Sequence, residues 1–100
     1  MNEISIKSTY IKNEYLVAAC DSNLLGKIFR ENKFRLNISE NFYGGEKVNC
    51  DEFIKKLKKA TIANLCGETT IKCAVKHNFL DNEGILVVEG IPHAQIFVVK

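Results

Sequence analysis

A chain of 100 residues, 46% hydrophobic and 26% charged, has the size and make-up of one globular domain spanning residues 1–100, not of a disordered tail. No apolar run approaches the roughly 20 residues that cross a bilayer. The opening Met1-Asn2-Glu3-Ile4-Ser5 lacks the basic and apolar regions of a secretion signal, so a cytoplasmic location with no membrane partner is expected.

From the N-terminus, Ile4, Ile6 and Tyr10 alternate with Glu3, Ser5 and Lys7, the signature of a half-buried strand. After a turn at Lys12-Asn13-Glu14, the apolar run Tyr15 to Cys20 predicts a central strand that ends at Asp21-Ser22-Asn23. Lys27 to Arg30 and Lys33 to Ile38 then read as a hairpin around Glu31-Asn32. The alternation puts Phe34, Leu36 and Ile38 on one face and Lys33, Arg35 and Asn37 on the other. At Gly44-Gly45 two adjacent glycines predict a bend that uses their freedom to take positive φ.

A helix is expected from Asn49, whose side chain suits a reciprocal cap with Glu52, to a left-handed stop at Gly67. Phe53, Leu57 and Ala60 fall on one side of it and Lys55, Lys58 and Lys59 on the other. Beyond Ala60 the pattern fails: Ile62 and Cys66 fall on the lysine side, and the amide of Asn64 falls beside Leu57. A second helix is expected over Thr69 to His77. Ile85 to Glu89 and Ala94 to Val99 are β-branched runs flanking a corner at Gly90-Ile91-Pro92-His93. The order β-β-β-β-α-α-β-β gives the expected fold class: α+β, a mainly antiparallel sheet with a pair of helices on one face.

Cys20, Cys50, Cys66 and Cys73 contain no C-x-x-C pair, and His77 and His93 form no H-x-x-x-H. The cysteines are therefore read as reduced structural residues, with no metal and no cofactor expected. His77, near the end of its helix, can favour the negative helix terminus. No phosphate-cradling glycine loop is present; Gly44-Gly45 is too short for one.

The net charge of +2 does not by itself imply nucleic acid, but it is unevenly spread. Residues 27–76 hold 11 basic and 6 acidic side chains, while the flanking segments together carry −3. Lys27, Phe29, Arg30, Lys33 and Arg35 interleave cations with an aromatic ring, and Lys55, Lys58 and Lys59 form a basic helix face. Such groups can neutralise phosphates, and an exposed Phe29 can stack on a base, while Phe34 is expected in the core. A solvated lysine face is the plainer reading.

A second constellation is catalytic. His93 can act as a general acid or base near neutral pH, with Glu46 to orient it and Asn64 to steady an anion, if those segments converge. The plainer reading gives His93 a backbone hydrogen bond and leaves Gly44, Gly45, Gly67 and Pro92 as structural turns.

Four blocks carry a resemblance that runs from about Tyr15 to Val99. They are Leu24-Leu25-Gly26-Lys27, Phe42-Tyr43-Gly44-Gly45-Glu46, Ala60 to Gly67, and Gly90-Ile91-Pro92-His93-Ala94-Gln95. With these blocks in order, the chain resembles the archaeal domain-of-unknown-function family 424. Cys66 departs from that resemblance, which counts against a cysteine nucleophile there. The resemblance implies a small cytoplasmic archaeal protein and no established reaction. By analogy with such proteins it invites an association with RNA or the translation machinery.

The leading expectation is a non-enzymatic module whose partner is RNA or a ribosome-associated protein, with no DNA specificity evident. The alternatives are a small hydrolase or transferase centred on His93, and a protein–protein interaction subunit. The oligomeric state is open.

Overall fold

The alternation at the start of the chain forms the strand it predicts. In the computed structural model, which describes residues 3–97, β1 (Ile4–Ile11) turns back into β2 (Glu14–Asp21), with Ile6 opposite Ala19 and Lys7 opposite Ala18. The chain continues through a hairpin, β3 (Ile28–Glu31) and β4 (Phe34–Asn37), then the short helix α1 (Glu40–Tyr43) and β5 (Glu46–Val48). Next come α2 (Cys50–Leu57), β6 (Ile62–Cys66), α3 (Glu68–Lys76), β7 (Leu86–Val88) and β8 (Ile91–Phe97). The fold is α+β and mainly antiparallel. Residues 98 and 99, placed in the last strand by the sequence, lie outside the described residues.

One sheet has the order β5-β1-β2-β6-β8-β7, and β3-β4 stands apart as a two-stranded ribbon. Among the described residues of the large sheet, only β2 and β6 run parallel. Because side chains alternate along each strand, the sheet has two different faces. Ile4, Ile6, Val17, Ala19, Ala63, Leu65 and Ala94 face α2 and α3, where Phe53, Leu57, Ile71 and Ala74 complete a core. Ala18, Cys20 and Cys66 point the other way, into a smaller core closed by Leu36, Ile38, Tyr43 and Val88. Both long helices thus lie on one face, as expected, and the ribbon lies on the other.

The expected helix over 49–67 is two elements. Its start is right: Asn49 Oδ1 accepts from the Glu52 N–H at 2.9 Å, and Glu52 Oε1 accepts from the Asn49 N–H at 3.2 Å. It ends at Leu57, and Ile62–Cys66 is a strand. Thr61 begins the change: its N–H donates to the Tyr15 carbonyl at 2.9 Å, and its Oγ1 accepts from the Tyr15 N–H at 2.8 Å. The misplaced Ile62, Asn64 and Cys66 are one side of a two-residue repeat whose other side is Ala63 and Leu65. The failed helical pattern was a change of period from 3.6 to 2.

The turn glycines and Pro92 serve differently from expectation. Gly67 starts α3 instead of stopping α2; its φ of +101° favours glycine, and a Cβ there would press on the Asp21 carboxylate. Neither Gly44 nor Gly45 has a positive φ. They are needed for close approach, since a Cβ on Gly44 would collide with the Glu40 carbonyl and one on Gly45 with that of Ile6. The last reversal is made by Glu89 and Gly90, with φ of 50° and 79°, the two-residue turn of a tight hairpin. Pro92 lies within β8 opposite Val87, and its carbonyl accepts from the Gly67 N–H at 2.9 Å.

The cysteines also divide. Cys20 and Cys66 are free and buried, as expected. Cys50 and Cys73 are not reduced thiols but a disulfide that joins the start of α2 to α3, with Cα atoms 6.0 Å apart. Among the described residues, no helix is long and apolar enough to cross a membrane.

Candidate functional site

The two basic segments do not form one surface. Lys55 rides on the outside of α2, and Lys58 and Lys59 are exposed in the turn that follows it, on the first face of the sheet. Lys27, Arg30, Lys33 and Arg35 belong to the ribbon, which packs on the second. No ligand of the ribbon can reach the α2 lysines without passing round the sheet.

Within the ribbon the aromatic roles are exchanged. Phe29 sits opposite Leu36 and packs against the second core, whereas Phe34 is 52% exposed beside the turn. Burial follows position along the ribbon: the middle pair lies over the sheet, and the pair at the turn overhangs it. Arg30 and Arg35 are directly opposed on the outward face, flanked there by Ile28 and Asn37. Both arginines are exposed, and among the described residues neither has an ion-pair partner. The ribbon is tied to the β7–β8 turn through its backbone: Arg30 N–H donates to Glu89 Oε2 at 2.7 Å, and Glu89 N–H to Glu31 Oε1 at 2.6 Å. Its outward face is therefore held in a fixed orientation.

The catalytic constellation is not assembled. Glu46 lies on β5, at one edge of the sheet, on the helix-bearing face, where its carboxylate pairs with Lys56 Nζ at 2.8 Å. His93 lies on β8, four strand positions away, about 19 Å at ordinary strand spacing. Its side chain projects from the opposite face, in a row with Cys66, Cys20 and Ser5. Asn64 shares that face with His93 but is level with Gln95, and no hydrogen bond joins the two among the described residues. Burial lowers the His93 pKa from its ordinary 6.5, so the ring is held neutral.

The neighbouring thiols are inert. Burial pushes Cys20 up to about 12, with the Asp21 charge adding to it, and Cys66 likewise to about 12. Both stay protonated at neutral pH, so neither is a ready nucleophile.

Asp21, read in the sequence only as a strand end, is the most heavily bonded carboxylate. It accepts from the Thr69 N–H at 3.0 Å, and from the N–H and hydroxyl of buried Thr70 at 2.8 and 2.9 Å. Gly67, at the helix start, has no side chain to cap α3, so Asp21, 48 positions before Thr69, does so. Nothing in local spacing announces such a cap.

These features define a small α+β domain with a cationic ribbon on one sheet face and a helix pair on the other. The chain belongs to the family described as a protein of unknown function, DUF424, whose profile matches residues 9–99. It is similar to a solved structure, an uncharacterised conserved protein from Methanopyrus kandleri. That likeness has a TM-score of 0.82 at 25% sequence identity and covers 96% of this chain and 91% of the other. No curated protein matches the chain.

Proposed function

We propose that this domain is an RNA-binding module that uses the outward face of the β3–β4 ribbon. The observation that carries this reading is the Arg30–Arg35 pair. Like charges directly across two strands repel. An arginine pair without a carboxylate between is relieved by a bound anion, and guanidinium groups grip phosphate bidentately. Lys27 and Lys33 add exposed cations at the two ends of the ribbon, and Phe34, exposed where the ribbon's other face overhangs the sheet, offers a ring at its tip for a base to stack on. A role beside the translation machinery is consistent with this reading.

The test is the binding of short single-stranded RNA across a salt series. With two phosphates held by the arginines, R30E/R35E should flatten the log–log salt slope by about 1.4, at ~0.7 per phosphate. Lys55→Glu, on the far face, should leave binding unchanged apart from a small general charge effect. Retention that ignores salt and the arginine changes, or that depends equally on Lys55, overturns the proposal.

A further inference from the structure

Cys50 is the first residue of α2, and Cys73 and His77 lie one turn apart at the end of α3. A sulfur from each cysteine and a ring nitrogen of His77 all lie within 4.8 Å of one another. We propose that, once the disulfide is reduced, these three side chains form a binding site for a zinc-like divalent cation.

The ligand set favours such an ion. Two thiolates and an imidazole suit a borderline-soft metal and disfavour magnesium or calcium, which take oxygen ligands. The two thiolates also neutralise its charge. In a tetrahedral site with zinc–sulfur bonds of about 2.3 Å, the sulfurs stand roughly 3.8 Å apart. Cysteines whose Cα atoms are 6.0 Å apart can open to that separation by side-chain rotation, with both helices left in place.

His77 already has one ring nitrogen engaged. Its Nδ1 lies 3.0 Å from the Cys73 carbonyl, which can only accept, so Nδ1 carries the proton. Nε2 therefore keeps the lone pair that a metal requires. A histidine ligand whose second nitrogen donates to a backbone carbonyl is the usual outer-shell arrangement of protein metal sites. Cys50 also lines a cleft of about 280 Å³, with Glu3, Asn49, Asp51 and Thr69 at its walls.

The chemistry balances. The disulfide takes two electrons and two protons from a dithiol reductant, which becomes a disulfide, and yields two thiols. Metal binding then releases those two protons to solvent. The oxidised and metal-bound forms exclude each other, because sulfurs bonded to one another cannot act as thiolates.

The sequence held one sign of this cluster. Cys73-x-x-x-His77 is the i, i+4 spacing that puts two ligands on one side of a helix, but neither a C-x-x-C nor an H-x-x-x-H search finds it. Cys50 joins it only through the fold.

The full chain, reduced with a phosphine, is titrated with Co2+. One equivalent should bind with tetrahedral visible bands and a thiolate-to-cobalt charge-transfer band, and Zn2+ should displace it. The oxidised protein should show no such band. His77→Ala, which keeps both thiols, should weaken Zn2+ at least tenfold in chelator competition, since loss of an outer-shell partner alone costs about that much. If reduction loosens the fold, one equivalent of Zn2+ should restore the circular dichroism of the wild type and not that of His77→Ala. No cobalt binding by the reduced chain, no such restoration after loosening, or equal Zn2+ affinity without His77 overturns the proposal.

Discussion

Single residues matter here mainly through partners distant in sequence. Asp21 closes β2 and caps α3 in one step, bringing a negative charge to the positive end of that helix. Asp21→Ala leaves two N–H groups and a buried hydroxyl without their acceptor. It should cost about 2 kcal/mol, read as a lower urea midpoint at unchanged slope; an unmoved midpoint would refute the cap. His93 gives a pH dependence. Its pKa is lowered in the native state by burial, so the unfolded chain takes up a proton first as pH falls. Stability is full above the ordinary value of 6.5 and declines as pH falls through it toward the native pKa. The wild-type urea midpoint should therefore drop across that window more steeply than that of His93→Gln. Parallel pH profiles for the two proteins would count against it.

Between elements, the sequence was most legible where the signal is local. The reciprocal cap at Asn49 and Glu52, the β1 alternation and the ribbon around Asn32 are written within a few residues. The boundary between α2 and β6 was not, because no glycine or proline stands between Leu57 and Ile62 and the lysines of α2 run straight into it. Only the change of hydrophobic period marks it, and a five-residue strand is short for that signal. The Cys50–Cys73 link was equally hidden, since its two positions lie 23 residues apart. Closing a loop of that length should stabilise the fold by about 3 kcal/mol, by restricting the unfolded chain. Reduction should lower the urea midpoint of the wild type, measured with a chelator present, and leave a C50A/C73A variant unaffected. Equal midpoints for the wild type with and without reductant would show that the link adds nothing.

For the whole molecule, the decisive fact is that the sheet has two unlike faces. Sequence blocks that look like one cluster, such as the basic ribbon and the lysines of α2, are sorted to opposite sides by strand order alone. Glu46, Asn64 and His93 are likewise spread across the sheet and its two faces, for the same reason. Residue types and spacing cannot reveal this, because a face is set by the parity of a residue within its strand and by the order of the strands. The sheet's end strands, β5 and β7, are three residues each and pair with only Ile4–Ile6 of β1 and Ile91–His93 of β8.

The parallel contact of β2 with β6 has a consequence for how the molecule is made. β2 gains its second neighbour only when residues 62–66 have left the ribosome, some forty residues after β2 itself. Until then a nascent chain holds a hairpin with one bare edge and an uncovered row of Val17 and Ala19. The sheet must therefore be finished late and all together, from segments at both ends of the chain, and such long-range closure makes folding slow.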